Sequence, residues 1–186
     1  MFIQTEETPN PATLKFLPGK PVMPQGTADF AASEGAERSP LAQHLFRVDG
    51  VSRVFLGSDF ITVTKDQGRD WSLLKPVLLG IIMEHFTTGK PIILAGGPVG
   101  APEAAEGSGE DDEIVAQIKE LLETRVRPAV AQDGGDIVFH AFEDGIVYLH
   151  MQGACSGCPS STATLKMGIE NMLRHYVPEV VEVRPV

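Results

Sequence analysis

The chain has 186 residues, 42% of them hydrophobic, which is enough for one folded domain or two small ones. Its net charge of −10 argues against nucleic-acid binding, because that function needs a basic surface. No apolar run approaches the roughly 18 residues of a membrane span, so we expect no membrane segment. The N-terminus lacks the basic and apolar regions of a signal peptide, and the low cysteine content suits a reducing cytoplasm.

The N-terminal part, residues 1–95, predicts the element order ββαββα. Extended runs at residues 2–6 and 13–17 flank Thr8-Pro9-Asn10-Pro11, which cannot be helix interior. Ser39 and Pro40 can cap and start the first helix, and residues 51–56 and 60–64 predict a hairpin. The second helix is predicted to be amphipathic and to end at Gly89, and its apolar stripe is formed by Trp71, Leu74, Val77, Leu78, Ile81, Ile82 and His85.

Residues 96–111 are rich in glycine, proline, alanine and acidic side chains. Such a segment has little apolar surface to bury, so we predict a flexible acidic linker.

The C-terminal part, residues 112–186, predicts the order αββαβ. Its first helix is expected to end before Pro128, and Asp133-Gly134-Gly135-Asp136 is expected to form a turn. Residues 137–142 and 146–151 predict a hairpin across Asp144-Gly145, followed by a helix over 159–176 and a strand over 180–183. The predicted fold class is therefore α/β (α+β), with two small two-layer α/β domains joined by the linker.

The chain's two cysteines, Cys155 and Cys158, lie in Gly153-Ala154-Cys155-Ser156-Gly157-Cys158-Pro159-Ser160-Ser161, between a predicted strand and a predicted helix. The N-terminus of a helix favours thiolate over thiol, so we expect reactive, metal-binding sulfurs. Three kinds of site use this spacing: a thiol–disulfide oxidoreductase, a zinc site and an iron–sulfur site.

Each of the first two kinds of site meets an objection. A thioredoxin-type oxidoreductase places the motif early in its domain, whereas here one helix and one strand follow it. A zinc site needs four ligands, and the histidines have no ligand spacing. We expect His140 and His150 to be ordinary strand residues, one facing solvent and one partly buried. On the helices, surface or groove roles are expected for His44, His85 and His175. The Asp133 and Asp136 carboxylates are expected to serve as turn and cap residues.

The third kind of site is an iron–sulfur cluster shared between two chains. Two thiolates from each chain become four in a symmetric dimer, which meets the ligand demand of a cluster.

Both halves of the sequence resemble one known family. Val126-Arg127-Pro128, Asp133-Gly134-Gly135-Asp136, the cysteine segment and Thr164-Leu165-Lys166 with Gly168-Ile169-Glu170 resemble the NifU C-terminal domain. Gln4-Thr5-Glu6, Thr8-Pro9-Asn10-Pro11, Leu14-Lys15-Phe16, and residues 50–55 and 59–64 resemble the Nfu N-terminal domain. The domain order is similar to that of Nfu-type iron–sulfur scaffold and carrier proteins.

The resemblance implies that Cys155 and Cys158 ligate a 4Fe–4S cluster that bridges two protomers, so that a homodimer forms on cluster binding. It implies a carrier rather than an enzyme, one that accepts the cluster from an upstream assembly scaffold and delivers it to client apo-proteins. The N-terminal domain, which has no cysteine, would then recognise partners. We expect a bacterial cytoplasmic protein, or a mitochondrial matrix protein if it is a processed organellar form.

Overall fold

The computed structural model describes residues 1–94, 111–156 and 159–186. The chain divides into two compact units, Met1–Gly100 and Ala101–Val186, and each has its own hydrophobic core. Helices and strands are mixed in both, and the strands form two sheets, which confirms the predicted α+β class. Apart from its last residue, the predicted linker lies outside the described residues, so its flexibility stays a prediction. No described helix is long and apolar enough to cross a membrane.

The first unit is an antiparallel five-stranded sheet with two helices packed against it. Its elements are β1 (Gln4–Glu7), β2 (Thr13–Leu17), β3 (Ala28–Phe30), a 3₁₀ helix (Ser33–Arg38), α1 (Pro40–Phe46), β4 (Val51–Leu56), β5 (Ile61–Lys65) and α2 (Trp71–Thr88). The strand order is β1-β2-β5-β4-β3. Strand β3 and the 3₁₀ helix were not predicted. Three residues paired with a strand more than twenty residues away leave no local pattern to detect.

Side chains cap the start of both helices, and of these features the cap at Ser39 and the helix end at Gly89 were predicted. The Ser39 hydroxyl oxygen accepts a hydrogen bond from the Ala42 N–H at 3.1 Å and starts α1. The Asp70 carboxylate accepts one from the Ser72 N–H at 2.9 Å and starts α2. Helix α2 ends at Gly89, whose φ of 65° is the left-handed conformation that glycine adopts without strain.

Helix α2 is less amphipathic than predicted. Leu74, Leu78 and Ile82 are buried in the core, as expected, but Val77 is 50% exposed. Leu73 on the same side of the helix is 73% exposed. The prediction that Val77 widens the buried stripe is therefore wrong, and α2 presents apolar side chains on two faces.

The second unit is a three-stranded sheet with helices packed against it. Its elements are α3 (Asp111–Leu121), a π turn (Leu122–Val126), α4 (Arg127–Gln132), β6 (Gly135–Glu143), β7 (Ile146–Gly153), α5 (Pro159–Tyr176) and β8 (Glu182–Pro185). The sheet order is β6-β7-β8, with β6 antiparallel and β8 parallel to β7.

The helical chain does not end before Pro128 as predicted. It passes through the π turn and continues as α4, with Pro128 in the first turn of that helix. In the first turn of a helix the backbone N–H groups have no carbonyl partner, so a proline, which lacks this group, is tolerated there. The π turn also changes the helical hydrogen-bond pattern just before Pro128. The predicted helix end is therefore wrong, and the helical chain continues past Arg127 until shortly before the start of β6.

The β6–β7 hairpin brings the ends of its strands together at the cysteine loop. Asp144 and Gly145 have φ values of 50° and 78°, the pattern of the type I′ turn that their sequence predicts. At the other end of the hairpin, Gly135 pairs with Gly153. The loop after Gly153 therefore begins beside the first residue of β6.

Candidate metal centre

Cys155 lies in the loop between β7 and α5, as predicted. Its side chain is 6% exposed and belongs to the hydrophobic core of the second unit. Cys158 lies outside the described residues, so its role as the second ligand stays a prediction. The structure therefore supplies one half of the predicted cysteine pair.

The Cys155 thiol packs directly against the backbone of Gly135. A Cβ atom built on Gly135 would lie 2.4 Å from the Cys155 sulfur and 2.9 Å from the Gln152 carbonyl oxygen. Both distances are too short for any side chain larger than hydrogen. The absent side chain at Gly135 thus creates the space that the sulfur fills.

Three further hydrogen bonds hold the backbone of the cysteine loop. The Ala154 N–H donates to the Gly134 carbonyl at 3.2 Å, and the Ser156 N–H donates to the Gly153 carbonyl at 3.1 Å. The Thr162 hydroxyl on α5 donates to the Cys155 carbonyl at 3.3 Å. The start of β6, the end of β7 and the first turns of α5 therefore all fix this loop.

An ion pair between Arg127 and the buried Asp136 holds the end of the Asp133–Asp136 segment. Asp136 is 3% exposed, and both of its oxygens accept hydrogen bonds from Arg127 Nε and Nη2 at 2.8 Å. Asp136 Oδ1 also accepts from the Ile137 N–H at 2.8 Å, and Arg127 pairs with Glu123 one helical turn away. Bidentate pairing of this kind is geometrically specific and raises the pKa of Arg127.

Asp136 was predicted only as a turn and cap residue, and its ion pair with Arg127 was not predicted. The nine-residue separation of Arg127 and Asp136 carries no local pattern. The pair becomes visible only once the helix is known to continue past Pro128.

The electrostatics of Cys155 differ from the expectation. Burial raises the pKa of the Cys155 thiol to about 12, and the carboxylates of Asp133 and Asp136 act in the same direction. The expectation that the helix N-terminus makes this sulfur a thiolate is therefore wrong for the protein alone. A metal would have to displace the thiol proton when it binds.

The histidines supply no further ligands. His140 is exposed and His150 half-buried, as predicted, but His85 is 2% exposed, so its predicted surface or groove role is wrong. It lies on the core side of α2, one turn beyond Ile82. Within residues 1–94, 111–156 and 159–186, no group of three or more His, Cys, Asp and Glu side chains is arranged to hold a metal ion.

Two family models match the chain, one in each unit. "Scaffold protein Nfu/NifU N terminal" matches residues 3–89, and "NifU-like domain" matches residues 118–184. These matches leave the predicted linker between them.

Similar proteins match along almost the full chain. The human protein "NFU1 iron-sulfur cluster scaffold homolog, mitochondrial" is 57% identical over 187 residues, which covers 100% of this chain and 72% of that protein. "NifU-like protein 5, mitochondrial" of Arabidopsis thaliana is 57% identical over 182 residues, 97% of this chain and 66% of that protein. This chain thus spans about two thirds of the length of the plant relative.

Among solved structures, the NifU-like protein of Saccharomyces cerevisiae is 27% identical, with a TM-score of 0.42, over 51% of this chain and 86% of that chain. The family models on both units and the 57% identity to the human relative agree with the resemblance of both halves of the sequence. The chain belongs to the Nfu/NifU family.

Proposed function

We propose that this chain is an iron–sulfur cluster scaffold and carrier rather than an enzyme. Two copies hold one 4Fe–4S cluster through Cys155 and Cys158 of each chain, receive it from an upstream assembly scaffold and deliver it to client apo-proteins. The name of the human relative supports the scaffold role, and the names of the human and plant relatives support a mitochondrial location, for which we propose the matrix. Under this proposal the bacterial cytoplasm is the alternative location.

The observation that carries the proposal is the incomplete ligand set around Cys155. The backbone of the loop that carries Cys155 is held by three elements, yet the described residues provide no group of metal ligands around the thiol. A 4Fe–4S cluster requires four thiolates, and one chain has two cysteines. A second copy of the chain supplies the missing pair, and the two-fold axis then passes through the cluster.

The alternative function, thiol–disulfide exchange, fits Cys155 less well. Such enzymes use an exposed thiolate with a lowered pKa as the nucleophile. Cys155 is buried, and its pKa is raised to about 12. A metal that displaces the thiol proton when it binds suits this sulfur better than rapid redox cycling.

The division of labour between the units is part of the same proposal. The second unit, from residue 112 onward, holds the cluster, and residues 96–111 link it flexibly to the first. The first unit, residues 1–95, has no cysteine and recognises partners. A linker of this composition would hold the cluster near a bound client at high effective concentration.

Anaerobic reconstitution with ferrous iron and sulfide tests the proposal. We expect about four irons per two chains, an absorption band at about 400 nm, and a shift from monomer to dimer on a sizing column. Cys155→Ser and Cys158→Ser should each abolish stable cluster binding, whereas Ser156→Ala should leave it intact. Zinc in place of iron, or disulfide-reductase turnover without cluster uptake, would contradict the proposal.

A further inference from the structure

Helix α2 carries an exposed apolar surface on the side opposite the core. Six residues share this side at helical spacing, and we call them the α2 outer face: Leu73, Pro76, Val77, Gly80, Met83 and Thr87. Leu73 is 73% exposed, Val77 50% and Met83 42%. Single exposed apolar residues are ordinary, but a continuous stripe on one helix marks a contact surface.

The polar groups of the α2 outer face are satisfied within the helix. The Thr87 hydroxyl donates to the Met83 carbonyl at 2.7 Å, so that it offers little to a polar partner. In the middle of the face, a Cβ atom on Gly80 would meet nothing within 4 Å. The face is therefore apolar, and it has no side chain at its centre, Gly80; we call this position the Gly80 notch.

One charged side chain, Glu84, borders the notch. It is exposed, and it forms no ion pair with any residue in the described part of the chain. The α2 outer face contains no lysine or arginine. A partner that covers this face without leaving Glu84 uncompensated must bring its own positive charge.

We propose that the α2 outer face binds an amphipathic helix of a client apo-protein, with a lysine or arginine of that helix opposite Glu84. This inference rests on the proposed carrier function and assigns the surface through which the first unit recognises clients. Residues 73–87 span about 21 Å of helix, which matches about four turns of a partner helix. The ridges around the Gly80 notch suit packing of helix on helix.

A client helix fits the charges better than a second copy of this chain does. In a symmetric pair, both Glu84 carboxylates would enter an interface with no basic residue on either face. Two helices in contact also bury less surface than the about 1,200 Å² that a stable complex needs. A small contact of this kind suits a carrier, because the carrier must release each client after transfer.

Two synthetic 18-residue helical peptides test which charge the partner carries. Both have the same leucine stripe, but the polar face of one consists of lysines and that of the other of glutamates. Binding to the full chain is followed by NMR or by the emission of Trp71, the chain's single tryptophan. We expect the lysine peptide to bind more tightly. Leu73→Gln should weaken it about tenfold and Glu84→Gln about threefold, and Glu84→Lys should reverse the preference.

Glu37→Lys is the matched control, since Glu37 is an exposed acid of the same unit outside the α2 outer face. Glu37→Lys should leave the tighter binding of the lysine peptide, relative to the glutamate peptide, unchanged. If Glu84→Lys and Glu37→Lys act equally, overall charge determines binding and the proposal is wrong. If the chain self-associates and Leu73→Gln abolishes that association, a second copy occupies the face and the proposal is also overturned.

Cluster transfer from the loaded chain to the apo form of a 4Fe–4S hydro-lyase then tests the role in delivery. Leu73→Gln should slow transfer severalfold while iron content per chain stays at the wild-type level. Equal transfer rates at equal loading would overturn the assignment to clients. A wild-type chain that binds no cluster would instead refute the carrier function, and peptide binding measured without iron would still decide what the α2 outer face recognises.

Discussion

At the scale of single residues, the Cys155 sulfur occupies the space that a side chain at Gly135 would need. A methyl group on Gly135 would lie 2.4 Å from that sulfur, and the pairing of Gly135 with Gly153 keeps the backbone from moving away. We expect Gly135→Ala to lower the free energy of unfolding of the second unit by about 1–3 kcal/mol. It should also lower the iron content after reconstitution severalfold, because the thiol must leave its position.

Gly168→Ala is the matched control for Gly135→Ala. Gly168 lies on α5 of the same unit, and a Cβ atom there would meet nothing within 4 Å. This variant should keep the wild-type iron content and gain up to about 1 kcal/mol of stability from the higher helix propensity of alanine. If both variants retain iron equally, the packing at Gly135 does not position Cys155.

His85 predicts a pH dependence confined to the first unit. Neither of its ring nitrogens has a hydrogen-bond partner among the residues described, and the His44 ring lies edge-on at 6.4 Å. Burial is the largest influence and lowers the pKa of His85 from 6.5; the charges of His44 and Lys90 lower it further, and the backbone at Pro91 and Lys90 opposes this only in part. Below pH 6.5 the unfolded chain therefore binds more protons than the folded one. The free energy of unfolding should then decrease as the pH is lowered, by at most about 1.4 kcal/mol per pH unit.

His85→Phe should remove that pH dependence, because phenylalanine is of similar size and takes up no proton. Urea unfolding followed by Trp71 emission reports on this unit alone, since no other tryptophan is present. His140→Gln, at an exposed strand position of the other unit, should leave the pH dependence unchanged. An equal acid response in wild type and His85→Phe would assign the effect to other groups.

At the scale of secondary-structure elements, local chemistry determined which predictions succeeded. The bounds of α5 and the Asp144-Gly145 turn were predictable because helix periodicity and turn residues act within a few positions. The continuation of the helix through Pro128 was not, because it depends on a π turn that the sequence does not mark. The cysteine motif and the family resemblance predicted Cys155 as a site residue, whereas its burial and the Arg127–Asp136 pair arise from packing between distant elements and could not be predicted.

The hairpin turn also fixes the position of β8. A Cβ atom on Gly145 would lie 2.8 Å from Val181 Cγ2 and 3.0 Å from the Glu179 carbonyl oxygen, and the Val181 N–H donates to the Gly145 carbonyl at 2.7 Å. Gly145 also has a φ of 78°, which costs other residues about 1–2 kcal/mol. Gly145→Ala should therefore destabilise the second unit by more than about 2 kcal/mol in thermal or urea unfolding. If Gly145→Ala lowers the free energy of unfolding no more than glycine-to-alanine replacement at an exposed position does, this contact does not fix β8.

At the scale of the whole molecule, the two cores share no residues. The core of the first unit comes from residues 3–82 and that of the second from residues 118–183. Because each unit buries its own apolar side chains, neither needs the other's core to fold. The proposed partner recognition by one unit and the proposed cluster binding by the other should then be separable by cutting the chain between them.

We therefore expect fragments 1–94 and 111–186 each to unfold cooperatively, at temperatures close to those of the same units in the full chain. The 111–186 fragment should bind about four irons per two copies, whereas the 1–94 fragment should bind none, because it contains no cysteine. At equal loading, the 111–186 fragment should transfer its cluster to an apo-client more slowly than the full chain, since it has lost the tether that raises the donor's effective concentration. Adding the 1–94 fragment in trans should not restore the rate. Equal rates for fragment and full chain across several clients would show that the first unit takes no part in delivery, even if cluster binding by the second unit is intact.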